Sequence, residues 1–205
     1  KKIKNFIVEN PKTARKALKK LNLDQNLQEL NIIEHSKKSS LESIEDYLEP
    51  VFAGESIGLL SDSGTPCIAD PGALIVSKAH ELKIKVIPLV GPSSIILSLM
   101  ASGFNGQNFC FHGYVPIEEN KKTDFFKEIQ KNIKAKQETQ IFIETPYRNN
   151  KLFTDILKIH NESIKLCVAT NLTDTEQLIV SKSLKEWRQN KAPDLSKKLC
   201  VFLLN

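Results

Sequence analysis

Residues 61–72 read SDSGTPCIADPG and follow the short apolar run 56–60 (Ser-Ile-Gly-Leu-Leu). This arrangement constrains the fold more than any other stretch. Gly64 tolerates positive φ and Pro66 fixes its own φ, so the backbone between them follows a tight, preset path. Asp70 is expected to cap a helix whose first turn holds Pro71, where no backbone N–H is needed. A strand, a glycine- and proline-set turn and a capped helix form the unit from which open α/β sheets are built. In such sheets the turn lies at the carboxyl end, where ligands bind. An ordinary βα loop with good capping satisfies the same residues.

The remaining chain repeats the alternation. Strands are expected at 3–9, 30–34, 56–60, 84–89 and 109–112. Asn10 caps a helix opened by Pro11, and Ser39 with Glu42 forms a capping box for a second helix ending near Gly54. Helices follow at 71–82 and 94–102. The latter is apolar nearly all round and so expected to be buried, and Gly103 ends it. Strands separated by ten-residue helices imply crossover units and a largely parallel sheet. Gly113 to Pro116, followed by the charged run 118–122, reads as a boundary. Beyond it come helices at 123–135 and 147–159, strands at 140–144, 164–169, 177–182 and 198–204, and a short helix around Trp187. The expected fold class is α/β with two domains, 1–113 with a largely parallel sheet and 117–205 with a mixed sheet.

Several chemistries lose support. The four cysteines are scattered with no CxxC pair, which argues against disulfides and zinc and fits a reducing cytoplasm. No apolar run is long enough to span a bilayer, and no signal peptide follows the opening lysines, so no membrane partner is expected. There is no GxGxxG, no Walker-type loop and no GxSxG elbow. The net charge of +5 permits an RNA partner without demanding one.

Three loops that leave strand ends can carry chemistry. Besides 61–72 there is Val90-Gly91-Pro92-Ser93-Ser94, where serines head a helix whose free N–H groups favour acceptor atoms. Those serines can equally serve as caps alone. The third loop is Glu144-Thr145-Pro146-Tyr147-Arg148. Glu144 can act as acid, base or acceptor, or simply pair with Arg148 at the surface. The four histidines, His35, His80, His112 and His160, read as surface or satisfied core residues.

SDSGTPCIADPG, IKVIPLVGPSS, FHGYVP and QIFIETPYRNN, in this order and spacing, resemble the tetrapyrrole methylase superfamily of S-adenosylmethionine-dependent methyltransferases. Within it they look most like the branch of ribosomal RNA small-subunit methyltransferase I. The resemblance implies two α/β domains with a ligand cleft between them. Asp62, Thr65, Pro66 and Ile68, then Ser93 and Ser94, then Ile143, Glu144, Ala169 and Thr170 would contact the donor, S-adenosylmethionine. No metal is implied. The branch's acceptor is a cytidine ribose 2′-hydroxyl of 16S ribosomal RNA, with Glu144 assisting it and Arg148 orienting a phosphate. The partners so implied are ribosomal RNA or the small subunit, and a homodimer. Alternatives are a methyltransferase for tetrapyrroles or other small molecules, and a non-catalytic module that binds the donor. Two departures stand out. The family's opening strand, internal to its sheet, has no counterpart before Ile3, so the sequence is expected to begin inside the natural chain. An Arg-Glu-Leu-Thr-Lys-like segment is replaced by Thr170-Asn171-Leu172-Thr173-Asp174, without basic residues.

Overall fold

A computed structural model describes residues 3–21, 26–36 and 43–205. The expected Ser39–Glu42 capping box lies outside them. The chain divides into two compact units, Lys1–Pro92 and Ser93–Asn205.

In the first unit, β1 (Asn5–Val8) is the middle of a three-stranded parallel sheet, flanked by β2 (Asn31–Glu34) and β3 (Ile57–Leu60). All four residues of β1 are buried, as a central parallel strand requires. Its pleat sends Phe6 and Val8 to one face, against Ala14 and Leu18 of α1 (Pro11–Lys20). Ile7 goes to the other, against α2 (Ile44–Phe52) and α3 (Gly72–Glu81) through Ile44, Leu48, Ile75 and Ala79. Gly58 is glycine for a packing reason: a Cβ there would stand 2.7 Å from the ring of Phe6, its partner across the ladder. The Asn10 cap is as expected, its side chain accepting from Lys12 and Thr13 N–H.

Two expected strands of the first domain are corrected. Residues 84–89 form no strand, and Ile87 and Leu89 are exposed. The Phe109 strand is real but belongs elsewhere. As β4 (Phe109–Tyr114) it pairs in parallel with β5 (Thr139–Ile143), in the second unit's sheet. The helix before it, α4 (Ser94–Ser102), also packs on that sheet. Residues 93–113 therefore fall with the second unit, and the division lies at Pro92, not at 113. Local periodicity identifies a strand or helix but not which sheet recruits it.

That second sheet is mixed, as expected, in the order β4-β5-β8-β6-β7. It is completed by β6 (Lys165–Thr170), β7 (Leu178–Ser183) and β8 (Cys200–Leu204). β8 is its middle strand, antiparallel to both neighbours and fully buried. One face packs on α5 (Glu119–Lys136), α6 (Asn149–Ile156) and α7 (Leu184–Gln189), with Phe142 stacked on Phe202. Trp187 donates its indole N–H to the Leu166 carbonyl, 2.9 Å away. The other face takes α4 through Ile95 and Leu99, which meet Ile141, Cys167, Val201 and Leu203. Only one side of α4 is buried: Ile96 and Met100, one turn apart, are exposed, contrary to the all-round burial expected.

Within this unit a buried charge cluster joins α5 to α6. Asp155 accepts from Lys122 at 2.8 Å and Lys158 at 2.6 Å, with Lys151 at 3.4 Å. Burial alone would raise its carboxyl, but the hydrogen bonds from Lys122 and Lys158 and the charges of Lys122 and Lys151 outweigh it, bringing the pKa to about 2.

Candidate functional site

In the first unit the 61–72 loop leaves the carboxyl end of β3 and is clamped at both ends. At its start, Glu9 reaches across from the end of the neighbouring strand. Its Oε2 accepts the Asp62 N–H at 2.9 Å and the Ser61 hydroxyl at 3.4 Å. Burial, and then the negative charge of Glu9, push the Asp62 carboxyl pKa up. At its other end, Asp70 Oδ1 accepts from both Cys67 and Gly72 N–H, each at 2.8 Å. Pro71, not Asp70, occupies the cap position of α3, so Asp70 acts one residue earlier, folding the loop back on itself.

Between the clamps the backbone is strained. Cys67 (φ 70°) and Ala69 (φ 62°) lie in the left-handed region that side chains disfavour. Such strain persists where surrounding bonds over-determine it, and it concentrates at ligand sites. The loop lies beside the Val90–Pro92 segment. A Cβ on Gly91 would come within 3.3 Å of Thr65 Cγ2, and one on Gly64 (φ 81°) within 3.4 Å of the Pro92 carbonyl. The two motifs read separately in the sequence are thus neighbours in space. Thr65 and Pro66 are half-buried there, while Asp62 and Ile68 are exposed.

In the second unit, Ser93 caps α4, but its Oγ is 3.5 Å from the Ile96 N–H, the outer limit of a hydrogen bond. The carboxyl end of α4 is anchored: its Ser102 carbonyl accepts from Ser181 at 2.7 Å. Just beyond, the Asn105 carbonyl accepts from Thr139, the first residue of β5, at 2.8 Å. The helix therefore runs antiparallel to β5 and β6, and Ser93 and Ser94 point toward the end where those strands finish.

At that end the register aligns Ile143 and Ala169 on either side of Val201. All three share the α4 face, since Ile143 and Val201 pack in the α4 cluster and Ala169 also pairs with Ile179 of that cluster. Thr170, one residue on, turns to the opposite face beside Cys200, whose thiol burial pushes up to about 12. Its hydroxyl is fully buried and has no hydrogen-bond partner, as is Asn149 Oδ1. Glu144 and Arg148 do pair, Oε1 to guanidinium at 2.6 Å, and the same Oε1 accepts the Thr145 N–H at 2.6 Å. The Glu144 side chain is nearly buried. Ser93, Ser94, Ile143 and Ala169 are thus brought to one face, with Glu144, Arg148 and Thr170 beyond the pleat.

Glu9 was missed by sequence reasoning. The available signal was a carboxylate ending the strand next to the motif strand. His35 also departs from expectation: it is buried, but neither ring nitrogen has a partner. Among the described residues no helix is long and apolar enough to cross a membrane.

No family model matches the chain. It is similar to Ribosomal RNA small subunit methyltransferase I of several bacteria. Identity is 35% over 144 residues with the Buchnera aphidicola (subsp. Schizaphis graminum) protein, covering 70% of this chain and 49% of the relative. With that of Vibrio cholerae it is 33% over 153 residues, covering 75% and 51%. With that of Escherichia coli O157:H7 it is 34% over 146 residues, covering 71% and 49%. The chain spans about half the length of these curated relatives. Among solved structures it resembles the methyltransferase CobJ (TM-score 0.63, 16% identity, 99% of this chain and 83% of that one). It also resembles diphthine synthase (TM-score 0.62, 14% identity, 98% and 78%). At this identity the likeness carries the fold alone, an α/β architecture as expected from the sequence.

Proposed function

We propose that the chain is an S-adenosylmethionine-dependent methyltransferase of the tetrapyrrole methylase superfamily, acting on small-subunit ribosomal RNA. The observation that carries this reading is the 33–35% identity to several relatives named for that activity. The acceptor proposed is a cytidine ribose 2′-hydroxyl of 16S ribosomal RNA, the location the cytoplasm, and the assembly a homodimer.

The donor supplies an electrophilic methyl carbon. The chain's task is to bind and align, holding the reacting atoms at near-attack distance, roughly 3 to 3.5 Å. The residues present fit such a ligand. The Thr170 hydroxyl is buried without a partner, and in the first unit the loops of Gly64 and Gly91 lie side by side, with a Cβ on Gly91 only 3.3 Å from Thr65. Asp62, Thr65, Pro66, Ile68, Ser93, Ser94, Ile143, Glu144, Ala169 and Thr170 are the proposed donor contacts. Glu144 is proposed to accept a hydrogen bond from the acceptor hydroxyl through Oε2, because Oε1 is already committed twice. Arg148 fixes the orientation of that carboxylate and offers its remaining donors to a phosphate.

Calorimetric titration with S-adenosylmethionine, followed by methyl transfer from labelled donor to 16S ribosomal RNA and to small subunits, tests the reading. Donor binding with label in RNA supports it. Absence of donor binding removes the superfamily assignment. Binding with no label in either RNA substrate points to another acceptor or to a non-catalytic module. In cells, primer extension must show a ribose mark lost on deletion.

A further inference from the structure

Helix α1 reads PKTARKALKK and contains five basic residues and no acid. Those five charges equal the net +5 of the whole 205-residue chain, so elsewhere acids and bases cancel. Lys12, Arg15, Lys16, Lys19 and Lys20 are all exposed, and none takes part in an ion pair among the described residues. The contrast is α5, which carries more lysines but interleaves Glu119, Asp124 and Glu128. Its Lys121, Lys122 and Lys127 are paired, whereas Lys131, Lys134 and Lys136 near its carboxyl end are exposed and in no ion pair among the described residues, which makes α5 a control for bulk charge.

Spacing adds direction. Lys12, Arg15, Lys16 and Lys19 stand at i, i+3, i+4 and i+7, which places them on one side of the helix. Like charges at i, i+4 repel; the position of Lys19 and Lys20 near the helix carboxyl end is favourable, and among the described residues no ion pair offsets that cost. The stripe spans about 10 Å along the axis, comparable with about three phosphates at the axial spacing of one duplex strand.

A basic amphipathic helix can also lie on a membrane, but only with its apolar side free to insert. Here that side is used: Ala14 and Leu18 are buried against Phe6, Val8 and Leu30. The location is also suitable. α1 begins directly after Glu9, which pins Ser61 and Asp62, so its first turn stands at the same end of the sheet as the 61–72 loop. We infer that the exposed side of α1 is a docking surface for the phosphodiester backbone of RNA. This rests on the function proposed above and adds where the substrate is held.

The test uses the full chain with Lys12, Arg15, Lys16 and Lys19 all replaced by Gln, and a control with Lys127, Lys131, Lys134 and Lys136 replaced by Gln. Binding of a 16S ribosomal RNA transcript is followed by fluorescence anisotropy over a series of salt concentrations. The α1 variant is expected to bind at least tenfold more weakly at 150 mM salt. Its slope of log affinity against log salt should be shallower by about 2, at 0.7–0.9 per phosphate contact. Its thermal midpoint and donor affinity should match the parent's, and the α5 control should shift the slope by less than one. An unchanged slope overturns the inference, as does an equal loss in the control, which would signify bulk charge. Tighter, α1-dependent binding to phosphatidylserine vesicles than to RNA also overturns it. Failure of the functional reading looks different: α1-dependent RNA binding would persist in a protein that does not bind S-adenosylmethionine.

Discussion

Replacing Asp70 with alanine separates a ligand loop from an ordinary connection. One oxygen of Asp70 holds two backbone N–H groups 2.8 Å away, and the segment they fix contains two left-handed non-glycine residues. Hydrogen bonds to a charged group contribute about 1.5–3 kcal/mol each. The side chain is only half-buried, so the lower end applies, about 3 kcal/mol for the two. Without them Cys67 and Ala69 relax toward ordinary φ, and a ligand must then restore the strained path itself. If the whole cost falls on binding, S-adenosylmethionine affinity drops about a hundredfold. Calorimetry measures that affinity, and amide exchange at Cys67 and Gly72 reports the loosened loop independently. Asp70→Asn retains an acceptor and should lose much less. Affinity within threefold of wild type in Asp70→Ala, alongside faster exchange at both amides, would refute the claim that the clamp shapes a donor site.

Other perturbations follow from the second unit. Thr170→Val removes a buried hydroxyl that has no partner, so the ligand-free protein should gain about 1 kcal/mol, read as a rise of a few degrees in thermal midpoint, while donor affinity falls several-fold; a loss of stability would mean the hydroxyl is satisfied. Asp155→Asn leaves the buried Lys122 with only the exposed Glu119, 3.0 Å away, as counter-charge and should cost about 3 kcal/mol at most at pH 7 by urea unfolding. Because the folded carboxyl titrates at about 2, below its unfolded value, its contribution is present above pH 4 and lost as pH falls through 2. The gap between wild type and variant should therefore close over that window, and a gap that persists at pH 2 contradicts the assignment. Glu144→Gln should cut methyl transfer about a hundredfold with donor affinity little changed; equal turnover would remove Glu144 from the chemistry.

What was legible in the sequence was local. Asn10 with Pro11, Gly103 and the short apolar runs within 164–169 and 177–182 act through neighbouring residues, and the elements they announce are present. Non-local pairing was not legible. An apolar run such as 84–89 carries strand propensity, but a strand also needs a partner ladder, which its own residues do not specify. Phe109 to Tyr114 shows the converse: its pattern revealed a strand, while its place beside β5 depends on residues thirty positions later. The site followed the same rule. Turn chemistry exposed the 61–72 motif, whereas Glu9, joined to it by a contact over 53 positions, required the fold.

Placing β8 at the centre of the five-stranded sheet has a consequence for biosynthesis. Residues 200–204 emerge after every strand they must bridge, so β4 with β5 and β6 with β7 wait as separate ribbons with apolar edges uncovered. Translation arrested short of them would split the sheet into those two ribbons at its centre instead of fraying one border.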